Sequence, residues 1–208
     1  MDPRFRSRLI AAIILLIVVC SIFSVSPVAG FRLENRDGSG ADAALAEALV
    51  LQQSTKIRDE FMENLTVYID SRSERFQQLD ASGNASGTSG IYVAGESAIY
   101  IRSDRHPERA DEVFVQQVGY HVYHTLGFDR SAVLPALEVD PGSYLSCVGV
   151  PSGEERQAAI FAEAFMLYHT SPDLLAADAP AIYTYMDLLA TNGGDCAAVD
   201  ALYAHQPE

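Results

Sequence analysis

The apolar and polar positions of the chain divide it into two unequal parts. The stretch from Leu9 to Gly30 carries no charged residue and is dominated by Ile, Leu and Val, whereas the remainder alternates short apolar runs with polar loops. A stretch of about 22 residues is long enough to cross a bilayer as a helix, since roughly 20 residues suffice. Arg4, Arg6 and Arg8 precede it, a pattern typical of a signal sequence or an N-terminal anchor.

This N-terminal segment, residues 1–30, predicts delivery of the rest of the chain across a membrane. Cleaved signals usually have a shorter apolar region, so we expect a retained anchor that holds the protein in the membrane through residues 9–30. The small residues of Val28-Ala29-Gly30 leave open a cleaved signal and a secreted protein. Both alternatives predict an extracytoplasmic location.

Beyond residue 30, the periodicity predicts a mainly helical α+β domain. Residues 31–40 are polar with two glycines and are predicted to form a linker, and residues 41–208 to form one domain. Apolar residues at helical spacings predict a helix over 41–79, followed by a Gly- and Ser-rich loop. The runs 91–94 and 98–102, rich in Ile, Tyr and Val, predict a β-hairpin.

The second half of the domain is predicted to be helical. A helix over 111–126 is expected to stop at Gly127, and a loop rich in Pro and Gly follows through residue 153. Helices are predicted over 154–170 and 171–189, the second ending before Asn192-Gly193-Gly194.

Charge and cysteine content narrow the possible functions. The formal net charge is −14, which excludes nucleic acid as a partner because phosphate binding needs basic clusters. Cys147 and Cys196 are candidates for a disulfide in an exported domain. They are too few and too far apart in sequence for a cysteine zinc site.

Candidate chemistry lies on the helix predicted over 111–126. This helix resembles the zinc-binding helix of metallopeptidases with the H-E-x-x-H signature, in which two His four residues apart bind zinc and the Glu takes a proton from the zinc-bound water. The apolar entry, the Gly before the second ligand position and the terminal Gly127 match that helix. Gln116, Gln117 and Tyr120 stand at the positions of His, Glu and His.

Residues 88–190 are similar to the zincin family typified by the anthrax lethal factor catalytic domain and the Pro-Pro endopeptidases. The resemblance rests on the Gly-Tyr hairpin over 90–101, on Phe161-Ala162-Glu163-Ala164-Phe165, and on the segment from Pro172 to Tyr183. It implies a zincin-like fold, with Glu163 at an acidic position of the helix that supplies the third zinc ligand. The other acidic position of that helix is Ala159 here.

The substitutions predict that this zinc site is lost. A Gln amide oxygen is a poor zinc ligand, Gln117 cannot exchange a proton near neutral pH, and a phenol with an ordinary pKa near 10 binds zinc poorly. Catalytic zinc normally needs three protein ligands, so we expect no zinc cofactor and no peptidase activity. We hypothesise that a hydrogen-bonded cluster of Gln116, Tyr120 and Glu163 fills the space of the metal.

A rival interpretation keeps a metal. His121 and His124 are three residues apart and share a helix face, so they are candidates for a displaced zinc site with Glu163 or His169. Both His are also explained by packing or by the helix C-terminus, where they suit the dipole. The favoured expectation is an inactive, membrane-delivered peptidase homologue that binds a peptide or protein partner. The alternatives are an active zinc metallopeptidase with this non-standard site and a purely structural protein at the cell surface.

Overall fold

Five strands form one mixed sheet in a computed structural model, which describes residues 26–28, 30–82, 88–137, 143, 145 and 154–206. The spatial order is β1-β2-β3-β5-β4. β2, β3 and β5 run parallel, and β1 and β4 are antiparallel to their neighbours at the two edges. The strands are β1 (Ser26–Val28), β2 (Phe31–Asn35), β3 (Leu65–Ile69), β4 (Gly90–Val93) and β5 (Ala98–Ile101).

Helices account for most of the remaining described chain. Pro172 and Pro180 occupy the first position of two of them, where a missing N–H costs nothing. The helices are α1 (Ala41–Ser54), α2 (Glu74–Ser82), α3 (Ala110–Thr125), α4 (Glu154–Thr170), α5 (Pro172–Asp178), α6 (Pro180–Asn192) and α7 (Cys196–Ala204).

The main core lies between one face of the sheet and helices α1, α3 and α4. In β3 the alternate residues Leu65, Val67 and Ile69 are buried, as the period of two in a strand requires. Phe114 and Val118 of α3 are fully buried in the same core. Helix α3 is therefore held against the sheet by its apolar face.

A small residue brings α3 and α4 together. A Cβ atom at Gly119 would lie 2.7 Å from the Cα of Ala162, closer than real Cβ contacts allow. The absence of a side chain at Gly119 therefore lets the two helix backbones approach. This contact places Glu163, the residue after Ala162, beside α3.

Two parts of the predicted organisation are wrong. Residues 31–35 are strand β2 rather than linker, and Phe31 and Leu33 are buried. The helix predicted over 41–79 ends at Ser54, because residues 65–69 form the central strand β3 and α2 follows separately. The β-branched residues of β3 favour a strand, and its pairing with β2 and β5 outweighs the helical spacing of its apolar residues.

The α+β class and several elements are confirmed. The hairpin is formed by β4 and β5, and the helices predicted over 111–126 and 154–170 are α3 and α4. The helix predicted over 171–189 is two helices, α5 and α6, and α7 is not predicted from the sequence.

The predicted membrane segment lies largely outside the described residues. Of its residues, Ser26–Val28 pair with β2, so its last part belongs to the sheet. Within the described part of the chain, no helix is both long enough and apolar enough to span a bilayer.

Candidate functional site

A cleft runs along the edge of the sheet between strand β4 and helix α3. It encloses about 750 Å³ and is lined by residues 88–92 and Ala94, by the turn before α3, and by one face of α3. β4 is the outer strand, so its backbone groups on the side away from β5 are not used by the sheet. This β4–α3 cleft combines an open strand edge with a helix face.

Gly90 sets how closely the strand approaches the helix. A Cβ atom at this position would collide with the Val113 side chain and would lie 3.1 Å from Cγ of Gln117. Any larger residue at the start of β4 would therefore push the strand away from α3. The glycine fixes the width of the cleft at this end.

The three positions singled out on α3 all line the cleft. Gln116 and Tyr120 are four residues apart and share a helix face, and Gln117 is adjacent. Glu163 approaches Gln116 from α4 and is only 6% exposed. Nε2 of Gln116 donates a hydrogen bond of 2.6 Å to Oε2 of Glu163. The structure thus brings together residues that are 47 positions apart in the sequence.

A second hydrogen bond fixes the orientation of Gln116. Nε2 of Gln117 donates to Oε1 of Gln116 at 3.2 Å. Because a carboxylate only accepts, Gln116 must turn its NH₂ group toward Glu163, and its carbonyl oxygen then faces Gln117. The observed chain of hydrogen bonds therefore runs Gln117–Gln116–Glu163.

Tyr120 belongs to this group through proximity rather than through a hydrogen bond. Among the described residues, no hydrogen bond joins its hydroxyl to Gln116 or Glu163, contrary to the hypothesised cluster. The pKa of Tyr120 is raised, mainly by burial and also by the negative charge of Glu163. The phenol therefore stays protonated, and it lies close to the carboxylate.

His121 is a packing residue. It is 2% exposed, its Nδ1 lies 3.1 Å from the hydroxyl of Tyr92, and its Nε2 lies 3.3 Å from the carbonyl oxygen of Glu63. The carbonyl can only accept, so Nε2 carries the proton and the Tyr92 hydroxyl donates to Nδ1. Burial lowers the pKa of His121, and the nearby His124 lowers it further. Both ring nitrogens of His121 are engaged in these contacts.

The displaced zinc site of the rival interpretation is not assembled. His124 is exposed and stacks on the ring of Tyr92, with ring centroids 6.1 Å apart. His169 lies at the end of α4, against Phe165. Among the described residues, no group of three His, Cys, Asp or Glu side chains is arranged to hold a metal ion. His121, His124 and Glu163 are thus held by different contacts.

The predicted disulfide concerns a residue that the structure does not describe. Cys196 is buried at the start of α7, with its sulfur 3.8 Å from Oδ2 of Asp200. Cys147 lies outside the described residues. The pairing of the two cysteines stays a prediction.

Tyr92 is the site residue that sequence reasoning missed. The sequence predicts Tyr92 only as a member of the hairpin, yet its ring contacts the rings of both His121 and His124, and its hydroxyl joins β4 to α3. The available signal was its place in the strand next to Gly90, on a hairpin expected to border the helix.

Comparison with known proteins adds no family assignment. No family model matches the chain, and a search of curated proteins finds no match.

Proposed function

We propose that this protein is a membrane-delivered, extracytoplasmic pseudopeptidase with a zincin-like domain, which binds a peptide or protein partner in the β4–α3 cleft without cleaving it. The observation that carries the proposal is the 2.6 Å hydrogen bond between Gln116 and Glu163. In the resemblance to zincins, Gln116 corresponds to a histidine ligand, and Glu163 corresponds to one of the two acidic positions of the helix that supplies the third ligand. In the proposed correspondence, this amide–carboxylate hydrogen bond takes the place of the zinc ion that joins the two helices in zincins.

The arrangement of strand and helix supports a binding role. An antiparallel edge strand lies beside the helix that carries the degenerate motif, and a cleft of about 750 Å³ separates them. An open strand edge accepts an extended peptide through main-chain hydrogen bonds. The neutral side chains of Gln116, Gln117 and Tyr120 do not supply the general base of the H-E-x-x-H motif, so we expect a bound peptide to remain intact.

Restoring the motif tests the zincin interpretation. The triple variant Gln116→His, Gln117→Glu, Tyr120→His should bind one zinc ion per chain, measured by elemental analysis of the purified full-length protein after dialysis. The matched control adds Glu163→Gln to the triple variant, which removes the acidic ligand and should weaken zinc binding. A folded triple variant that binds no zinc would contradict the correspondence of these positions.

Filling the cleft tests the binding role. Peptides selected from a display library on the wild-type protein should lose binding to Ala94→Trp, which projects a large ring into the cleft. Ala48→Trp, on the exposed side of α1, is the matched control and should leave binding unchanged. Selected peptides that bind both variants equally well would show that the cleft is not the binding surface.

The alternative of an active, non-standard zinc enzyme is favoured by no observation on the described residues. It predicts stoichiometric zinc in the wild-type protein, with loss of the metal on His121→Ala. The elemental analysis above tests this directly.

A further inference from the structure

Glu163 is a buried carboxylate without a cationic partner. Its side chain forms no ion pair in the part of the chain that the structure describes, which includes every Lys, Arg and His beyond residue 25. Its one hydrogen-bond donor among those residues is the neutral amide of Gln116. Carboxylates that are removed from water are usually paired with a cation. No Lys, Arg or His of the described residues provides that cation for Glu163.

The cationic side chains of the cleft do not pair with Glu163. Arg109 pairs with Glu112 at 2.6 Å, and His106 lies 3.1 Å from Glu108. Both pairs belong to the segment around the start of α3. Gln116 lies seven residues further along the helix than Arg109, a rise of about 10 Å. Among the described residues, Glu163 therefore has no cationic partner, and it lies behind Gln116, which lines the cleft.

The surrounding groups suit a hydrogen-bond donor with a positive charge. The Gln116 amide accepts a hydrogen bond from Gln117 through its oxygen and donates one to Glu163 through its nitrogen. These two bonds fix the orientation of both amides. The hydroxyl of Tyr120, which lines the cleft near Glu163, can accept a hydrogen bond next to the carboxylate. An ammonium group has three N–H donors and no acceptor, which matches a carboxylate beside a neutral oxygen.

The charge of the whole chain favours the same kind of partner. With a formal net charge of −14, the protein attracts cationic molecules over distances longer than a contact. Complementary charge speeds encounter and selects against anionic competitors. A peptide with a positive charge is thus favoured both by the field of the protein and by the carboxylate of Glu163 behind Gln116.

We propose that Glu163 binds a primary ammonium group presented by the partner, either a peptide N-terminus or a lysine side chain, which takes the place of a metal's positive charge. This inference rests on the proposed binding function and specifies the chemistry of its ligand. The ammonium enters beside Gln116 and Tyr120 and pairs with the carboxylate behind them.

Small probes test the inference without knowledge of the natural partner. n-Butylammonium represents the lysine side chain, alaninamide represents a peptide N-terminus, and n-butanol and N-acetylalaninamide are their neutral counterparts. The side-chain amide resonances of Gln116 and Gln117, followed by NMR in the full-length protein, should shift saturably with at least one ammonium probe. The neutral counterparts should bind at least about tenfold more weakly, as expected when a partly buried ion pair is lost.

Three variants separate a specific site from general attraction. Glu163→Gln keeps the shape and the hydrogen bond to Gln116, and it should weaken ammonium binding about tenfold or more. Asp173→Asn removes an exposed charge on α5, away from the cleft, and should change ammonium binding little. Gln117→Glu adds a second carboxylate and should strengthen ammonium binding. Equal binding of charged and neutral probes, or of wild type and Glu163→Gln, would overturn the inference.

The two proposals fail in different ways. If selected peptides bind in the cleft but neither Glu163→Gln nor acetylation and removal of their lysines weakens them, the ammonium site is wrong and the binding function stands. If the ammonium probes bind through Glu163 but no peptide binds in the cleft, the ammonium site stands and the binding function is wrong.

Discussion

At the scale of single residues, the candidate site depends on one amide facing one carboxylate. The resemblance predicts that Gln116 and Glu163 lie together, and Nε2 of Gln116 lies 2.6 Å from Oε2 of Glu163. The sequence could not show that Gln117, rather than Tyr120, completes the hydrogen bonds. Side-chain directions on adjacent helix turns depend on how α3 rotates against α4, which is set by the close contact at Gly119.

The Gln116–Glu163 bond predicts a specific loss of stability. Gln116→Leu leaves the buried carboxylate without its donor and should lower the free energy of unfolding by about 2 kcal/mol, measured by urea denaturation. The same substitution in a Glu163→Gln background should cost less, because a neutral amide is easier to leave unpaired. Equal costs in both backgrounds would indicate that packing, not the hydrogen bond, is lost.

His169 predicts loss of stability on acidification. Burial, and secondly the charge of Lys56, lower the pKa of His169 to about 4, below the ordinary value of 6.5. Among the described residues its buried Nε2 has no hydrogen-bond partner. Above pH 6.5 the ring is neutral in both states. Between pH 6.5 and 4 the unfolded state takes up a proton that the folded state excludes, so the free energy of unfolding falls as the pH falls.

The variant His169→Phe isolates this contribution. Phe keeps the ring that packs on Phe165 but cannot be protonated. Its unfolding free energy should fall less than that of the wild type between pH 7 and pH 4, in urea titrations at each pH. His205→Gln, at an exposed position after α7, is the control and should follow the wild type. Parallel curves for wild type and His169→Phe would contradict the assignment.

At the scale of elements, the sequence identified those with one clear period. The helices α3 and α4 and the β4–β5 hairpin follow from periodicity and turn residues alone. Strand β3 did not, because Phe61, Leu65 and Ile69 also repeat every four residues as in a helix. These residues form a strand because they pair with β2 and β5, which are distant in sequence. Helix α7 is short, and Asp200 anchors it through Ser131 and Tyr185.

The contact between α3 and α4 predicts that Gly119 resists substitution. Gly119→Ala would place a methyl group 2.7 Å from the Cα of Ala162, so the helices must separate. We expect a loss of about 1–3 kcal/mol in unfolding free energy, despite the better helix propensity of Ala. Gly95→Ala is the matched control, because a Cβ there meets no atom within 4 Å, and it should be nearly neutral. A stable Gly119→Ala variant would contradict the described contact.

At the scale of the whole molecule, two electrostatic effects oppose each other. The formal net charge is −14, so the excess negative side chains repel one another within the compact domain, and salt screens this repulsion. The ion pairs of the described residues attract, and salt weakens them, but most involve exposed side chains whose pairs contribute at most about 1 kcal/mol each. The net repulsion should therefore dominate the response to salt.

The melting temperature of the full-length protein should accordingly rise with ionic strength. Between 20 mM and 500 mM NaCl the Debye length shrinks from about 20 Å to about 4 Å, so repulsion between distant charges is largely removed. We expect a rise of about 5 °C or more by calorimetry at pH 7. Choline chloride at equal ionic strength should give the same rise if screening is the cause. A melting temperature that falls with salt would mean that local ion pairs outweigh the net charge, and an effect of NaCl alone would mean that sodium binds at particular sites.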